Sequence, residues 1–227
     1  MSDVAVNAPV PLRPRSDPNH LGHADGGRHE SRAPGRGTGG PAPKRIVVGY
    51  GFWVFILSDI IMFAALFAAY AVLRDGIADG PRGRDIFDLD TVAIETGCLL
   101  LSSFVCGVAS LALTARRALM FHGAMAVTFL LGAAFLALEV REFAGLMARG
   151  DGPDRSAFLS SFFTLVGCHG LHVTAGLLWL LTMMAQVLTK GFRPDIMRRT
   201  MCFALFWHAL DIIWVAVFTI VYLMGVL

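Results

Sequence analysis

The sequence has 227 residues, of which 56% are hydrophobic and 16% are charged, with a formal net charge of +2. A charged fraction this far below that of soluble domains is typical of a membrane protein, and the near balance of charge gives no support for a nucleic-acid partner. The four cysteines lie in apolar stretches without a CxxC pair, which favours packed side chains over a disulfide framework or a zinc site.

The chain opens with a polar segment, residues 1–44, rich in Pro, Gly, Arg and His and poor in large apolar side chains. Such a composition buries too little surface to fold alone and predicts a disordered N-terminal tail. The segment lacks the continuous apolar core of a signal peptide. Its histidines, His20, His23 and His29, could bind a metal, but a solvated tail is the better interpretation.

Five apolar segments follow, each long enough to cross a bilayer as a helix. The predicted fold is therefore all-α, a multi-pass bundle of five transmembrane helices over residues 45–227. The predicted spans are about 48–73, 92–114, 119–143, 157–189 and 200–226. The basic residues before the first span and in the loops after the second and fourth spans share one side, which the positive-inside rule makes cytoplasmic. Five spans therefore predict a cytoplasmic N-terminus and a C-terminus on the opposite side of the membrane.

Four ionisable residues lie inside the last two spans. His169 and His172 are three residues apart and share one helix face, as do His208 and Asp211. Because the two helices run antiparallel, both pairs fall at similar depth, and we expect an interhelical hydrogen-bonded cluster. Ligation of haem or another metal is the alternative, but no motif fixes the geometry that a ligand set would need.

Three carboxylates of the earlier spans are candidate functional residues. Asp59 lies near the centre of the first span and is either hydrogen-bonded within the bundle or directed toward a partner subunit. Glu95 begins the second span and Glu139 ends the third, on the same side and at similar depth. They form either a proton-exchanging pair or a structural pair that shares hydrogen bonds, and we favour the structural interpretation.

Other functions find little support in the sequence. It contains no phosphate-binding loop, dinucleotide-binding glycine motif, nucleophile elbow or HExxH zinc motif. A small transporter that uses the three carboxylates would be expected to show an inverted repeat or a broken helix, and neither is evident.

Four segments resemble subunit III of the haem–copper respiratory oxidases. They are GFWVFILSDIIMFAALFAAYAVL at 51–73, ETGCLLLSS at 95–103, GCHGLHVTAGLLW at 167–179 and RTMCFALFWHALDIIWVAVFTIVYLMG at 199–225. The resemblance covers about residues 45–227 and is strongest to the bacterial cytochrome o (bo-type) ubiquinol oxidase branch, for which five spans are expected. Subunit III of a cytochrome c oxidase is the alternative within the family, and a self-standing membrane haem protein is the alternative outside it.

The resemblance implies an accessory subunit of a complex that oxidises ubiquinol, reduces oxygen to water and translocates protons. It implies that haem b, haem o and copper reside in the partner catalytic subunit, and that this chain has no catalytic residue and no cofactor. The implied partners are oxidase subunits I, II and IV and membrane phospholipid bound in a cleft. The seven intramembrane residues then become positions of structural or lipid-associated character: Asp59, Glu95, Glu139, His169, His172, His208 and Asp211.

Overall fold

The structure, a computed structural model, describes residues 44–226 apart from residue 79. The predicted disordered tail, except for its last residue, lies outside the described residues. The helices in chain order are α1 Lys44–Leu73, α2 Gly83–Ile86, α3 Leu89–Thr114, α4 Ala118–Ala148, α5 Ala157–Lys190, α6 Pro194–Val217 and α7 Met224–Val226, with a π-helical segment Phe218–Leu223 between the last two.

Local sequence signals set where the helices begin. Asp88 precedes α3, and its side chain accepts a hydrogen bond from the backbone N–H of Asp90 at 3.2 Å. Ser156 caps α5 in the same way through the N–H of Leu159 at 3.2 Å. Such caps satisfy backbone donors that the first turn leaves without a partner. The last long helix begins at Pro194, a residue suited to the first turn because it has no N–H to satisfy.

The prediction of five membrane helices is confirmed. Five helices of the described chain are long and apolar enough to span a bilayer, and the last runs without a break from Pro194 to Val226. All five long helices extend beyond their predicted spans. The largest differences are in α4, which continues to Ala148 rather than 143, and in α6, which begins at Pro194 rather than 200. A helix does not end where the apolar run ends, because its backbone stays hydrogen-bonded until a turn signal stops it.

The last span supplies the centre of the bundle. Its Trp207, Trp214 and Tyr222 are each at most 1% exposed. Trp214 packs edge-on against Phe135 of α4 with ring centroids 4.6 Å apart, and Tyr222 packs edge-on against Phe162 of α5 at 5.9 Å. Each such aromatic pair contributes about 0.5–1.5 kcal/mol beyond area burial.

Helix α1 is held more loosely than the other spans. Only 11% of the most apolar stretch of α1 is buried within the chain, against 28–39% for the other four spans. It reaches the bundle through long side chains: Phe52 meets Trp179 with centroids 5.7 Å apart, and the Tyr70 hydroxyl donates to the carbonyl of Val221 at 3.4 Å. A gap between α1 and the rest of the bundle follows from this arrangement.

Candidate functional site: intramembrane polar clusters

A polar seam joins α3 to α6. Three pairs of side chains form it: Trp214 Nε1 donates to Thr96 Oγ1 at 3.0 Å, Trp207 Nε1 donates to Ser102 Oγ at 3.1 Å, and Ser103 Oγ shares a hydrogen bond with His208 Nδ1 at 2.6 Å. Thr96 lies nearer the start of α3, and Trp214 nearer the end of α6, than the residues of the other two pairs do, so the two helices are antiparallel. The Asp211 carboxyl lies beside Ser103 and His208, and its Oδ1 has no hydrogen-bond partner within the described chain.

The structure pairs α6 differently from the sequence prediction. The predicted cluster placed His208 and Asp211 against His169 and His172 of α5, but His208 bonds to Ser103 of α3. His172 instead directs Nδ1 to the carbonyl of Cys168, one turn earlier in its own helix, at 2.7 Å. The contact between α5 and α6 at this level is made by rings rather than by hydrogen bonds.

His169 lies in an aromatic enclosure. It is 0% exposed, and its ring centroid lies 5.1 Å from that of Trp214, 5.8 Å from that of Phe135 and 6.3 Å from that of Phe63. Neither ring nitrogen has a hydrogen-bond partner within the described chain. Three rings from α1, α4 and α6 therefore surround the imidazole.

The donor set fits a haem or metal site poorly. His172 and His208 each hydrogen-bond through Nδ1, which leaves Nε2 as the one nitrogen of each that could bind a metal, and His169 is enclosed by rings. Among the described residues, no group of three or more His, Cys, Asp or Glu side chains could hold a metal ion. The metal alternative therefore lacks a ligand constellation in this part of the chain.

A second cluster gathers acidic side chains at the end of the bundle where α3 begins, and we call it the acid cluster: Glu95 of α3, Glu139 and Glu142 of α4, and Tyr222 of the π-helical segment. The first two are 0% and 2% exposed. The Tyr222 hydroxyl donates to Glu142 Oε2 at 3.0 Å, and the members lie close enough to interact electrostatically. The structure thus brings together Glu95 and Glu139, which the sequence placed at similar depth.

Two members of the acid cluster were not among the predicted site residues. Glu142 lies three residues after Glu139, so helical spacing alone could have added it. Tyr222 offered no comparable signal, because its direction depends on the π-helical turn that carries it. The sequence of that turn, FTIVYL, has no Pro or Gly to mark the change.

Asp59 belongs to neither cluster. It is half-buried on α1 and lies close enough to Cys168 of α5 to interact with it electrostatically. It therefore lies on the side of α1 that faces α5.

The gap between α1 and α6 is a cleft of about 410 Å³. Its walls are apolar, with Trp53, Ile56 and Ile60 among the α1 residues and Ile212 and Ala216 among those of α6. Of the seven predicted site residues, His208 lines this cleft. The cleft is suited to an acyl chain rather than to a polar ligand.

Five apolar helices that enclose carboxyl and imidazole groups define a polytopic α-helical membrane protein with a polar interior. Residues 41–226 match the protein family described as cytochrome c oxidase subunit III. The chain belongs to this family, and the resemblance to subunit III of the haem–copper oxidases is confirmed.

Curated relatives are similar over most of their length. The sequence is 54% identical over 178 residues to the cytochrome bo(3) ubiquinol oxidase subunit 3 of Pseudomonas aeruginosa, a match that covers 78% of this chain and 85% of the relative. It is 54% identical over 177 residues to the subunit of the same name from Pseudomonas putida, covering 78% and 86%. It is 38% identical over 178 residues to quinol oxidase subunit 3 of Bacillus subtilis, covering 77% and 86%.

Proposed function

We propose that the chain is the accessory subunit III of a cytochrome bo-type ubiquinol oxidase, a terminal oxidase that couples quinol oxidation and oxygen reduction to proton translocation. The observation that carries the proposal is the 54% identity, over 177 and 178 residues, to two subunits named for that oxidase. A subunit of a cytochrome c oxidase is the second candidate, because the family is described by that name.

In this proposal haem b, haem o and copper lie in the partner catalytic subunit, and this chain contributes no catalytic residue. The enclosure of His169 by three rings supports that assignment.

The contribution of the chain is to pack against the catalytic subunit, in a complex that also holds subunits II and IV. Its apolar outer surface supports this role: Ile61 of α1 is 70% exposed and Phe104 of α3 is 71% exposed. Surfaces of this kind are covered in a membrane by lipid or by another apolar helix. The loosely packed α1 has the largest such face.

Phospholipid is the proposed ligand of the cleft between α1 and α6. A volume of about 410 Å³ with apolar walls suits part of an acyl chain. Ala64 lines the cleft, whereas its neighbour Ala65 does not and is exposed on α1. We expect Ala64→Trp to lower the phospholipid recovered with the purified protein and Ala65→Trp to leave it unchanged, as measured by mass spectrometry. Equal lipid content in the two variants would argue against this cleft as the site.

The proposed orientation puts the N-terminus in the cytoplasm and the C-terminus in the periplasm of a bacterial inner membrane. The turn between α3 and α4 carries Arg116 and Arg117, and the connection from α5 to α6 carries Lys190 and Arg193. The helix order puts both at the end of the bundle where α1 begins, and loops rich in Lys and Arg favour the cytoplasmic side.

The test is to purify the complex that assembles with this chain and to measure its composition and electron donor. We expect haem b, haem o and copper in the complex and oxygen consumption driven by ubiquinol. Oxygen consumption driven by reduced cytochrome c, with none driven by ubiquinol, would favour the second candidate. A stoichiometric haem absorption band from the chain purified alone would refute an accessory role.

A further inference from the structure

The acid cluster contains three of the four glutamates in the whole sequence, since the remaining one is Glu30. Glu95 and Glu139 are enclosed within the chain, yet both oxygens of Glu95 and Oε2 of Glu139 lack a hydrogen-bond partner among the described residues. A charged carboxylate without partners in such surroundings is very costly. These oxygens therefore need a proton, a bound water molecule or both.

The fold makes specific room for these groups. The Glu139 carboxyl group packs against Gly170 of α5, where an added Cβ would lie 2.6 Å from Oε1. Tyr222 is aimed at Glu142 from a π-helical turn, an irregularity that occurs frequently at functional sites. A cluster that served only to fill space would be better packed with apolar side chains.

One side of the cluster is open to a polar pocket. Glu142 bonds to Tyr222 on one side and lines a surface pocket of about 290 Å³ on the other. The same pocket is lined by Asp88, Arg141 and Arg149. Asp88 accepts hydrogen bonds from Thr91 and Asp90, which hold the pKa of its carboxyl below the usual range, so the mouth of the pocket carries charge of both signs.

The other side is closed by rings. Trp214 donates to Thr96 of α3 and lies with its centroid 6.1 Å from that of Tyr222. His169, the titratable side chain that α5 contributes at this level, packs against Trp214 and Phe135. Glu142 therefore links the surface pocket, which it lines, to Tyr222 of the acid cluster.

We propose that Glu95 and Glu139 form a proton-binding site with bound water, and that this site exchanges its proton with the aqueous face at the Asp88 end of the bundle through Glu142 and Tyr222. The proton passes from water in the pocket to the Glu142 carboxylate. The Tyr222 hydroxyl, which donates to the Glu142 carboxylate in the structure, then turns to accept the proton from Glu142 and releases its own proton through bound water to Glu139 or Glu95. No covalent bond other than those to the moving proton forms or breaks. The site goes beyond the packing role in the proposed function.

Infrared spectroscopy of the full chain in lipid nanodiscs tests the proposal. Labelling of the glutamate side-chain carboxyl carbons with ¹³C is selective, because three of the four labelled groups belong to the cluster. We expect a C=O stretching band of a protonated glutamic acid at neutral pH, lost or shifted in Glu95→Gln or Glu139→Gln and unchanged in Glu30→Gln. Absence of the band from the wild-type chain would overturn the proposal whether or not the variants fold.

The exchange route has its own measurement. After transfer to D₂O, the band of the wild-type chain should shift as the proton is replaced by deuteron. Glu142→Gln and Tyr222→Phe, which leave Glu95 and Glu139 in place, should keep the band but slow its shift several-fold. An exposed carboxylate at the same end provides the control, because Asp154→Asn should leave the rate unchanged. Equal exchange rates in the wild-type chain and both route variants would overturn the proposal.

Discussion

Trp207 packs between two glycines, and this arrangement makes a sharp prediction about stability. An added Cβ at Gly132 of α4 would lie 2.9 Å from Cη2 of the indole, and one at Gly176 of α5 would lie 2.9 Å from Cζ3. The ring is 1% exposed and is held by its hydrogen bond to Ser102 at 3.1 Å, so it has no room to retreat. Overpacking of this kind costs about 1–3 kcal/mol.

The matched control is Gly123→Ala in the same helix, where an added Cβ meets nothing within 4 Å. Both this change and Gly132→Ala gain helix propensity of up to about 1 kcal/mol, so the difference between the two variants isolates the steric cost. We expect Gly132→Ala to unfold more easily than Gly123→Ala by about 1–3 kcal/mol in an SDS titration followed by circular dichroism. Trp207→Phe, which removes the clashing part of the ring, should recover part of the loss in the Gly132→Ala background. Equal unfolding midpoints for the two alanine variants would refute the packing argument.

Three further predictions follow from individual contacts. Ser103→Ala removes the hydrogen bond to His208 and should lower the free energy of unfolding by about 1 kcal/mol in the same titration. Gly170→Ala forces the Glu139 carboxyl out of its position and should cost about 1–3 kcal/mol, which the unfolding midpoint will report. Asp88→Ala should shorten the start of α3, seen as faster amide hydrogen exchange there. Hydrogen bonds lower the pKa of Asp88 in the folded state, so its stabilising contribution is complete above the ordinary pKa of 3.8 and is lost as the pH falls through the lowered pKa. Amide exchange rates at the start of α3, measured over a pH series, should rise in step with this loss.

The number of membrane helices was predictable because it depends on a property of single segments. Each span needs about 20 apolar residues, and each could be recognised from its own composition. The ends were less predictable, since α4 and α6 continue past their apolar runs until a turn stops them. The start at Pro194 carried a recognisable signal, because proline is favoured at the first turn.

The partners of the polar residues were less predictable than their positions. Helical spacing correctly put His208 and Asp211 on one face of α6, but it carries no information about which helix that face meets. Antiparallel direction made α5 a plausible partner, and α3 runs antiparallel to α6 as well. Only the packed structure distinguishes them, and it pairs His208 with Ser103. Depth alone correctly predicted that Glu95 and Glu139 lie close together. Both residues are near helix ends, and the order of the spans already fixes the side of the membrane on which each end lies.

Polar side chains explain why α3 and α6 meet in one register. Lipid tails are as apolar as leucine, so apolar contacts alone give helices in a bilayer little reason to choose one neighbour or one level. The bonds of Trp207 and Trp214 to α3, together with the bond of His208, fix the relative height of the two helices at two levels, since the bonds of Trp207 and His208 go to the adjacent residues Ser102 and Ser103. A shift of one residue along the axis would break all three and leave polar groups without partners. Helix α1 has no comparable set of side-chain bonds to the bundle among the described residues, since Tyr70 donates to a backbone carbonyl and the other close contacts are between rings. The strength of side-chain hydrogen bonding therefore divides the chain into a registered group of helices and one helix whose position depends on what fills the cleft beside it.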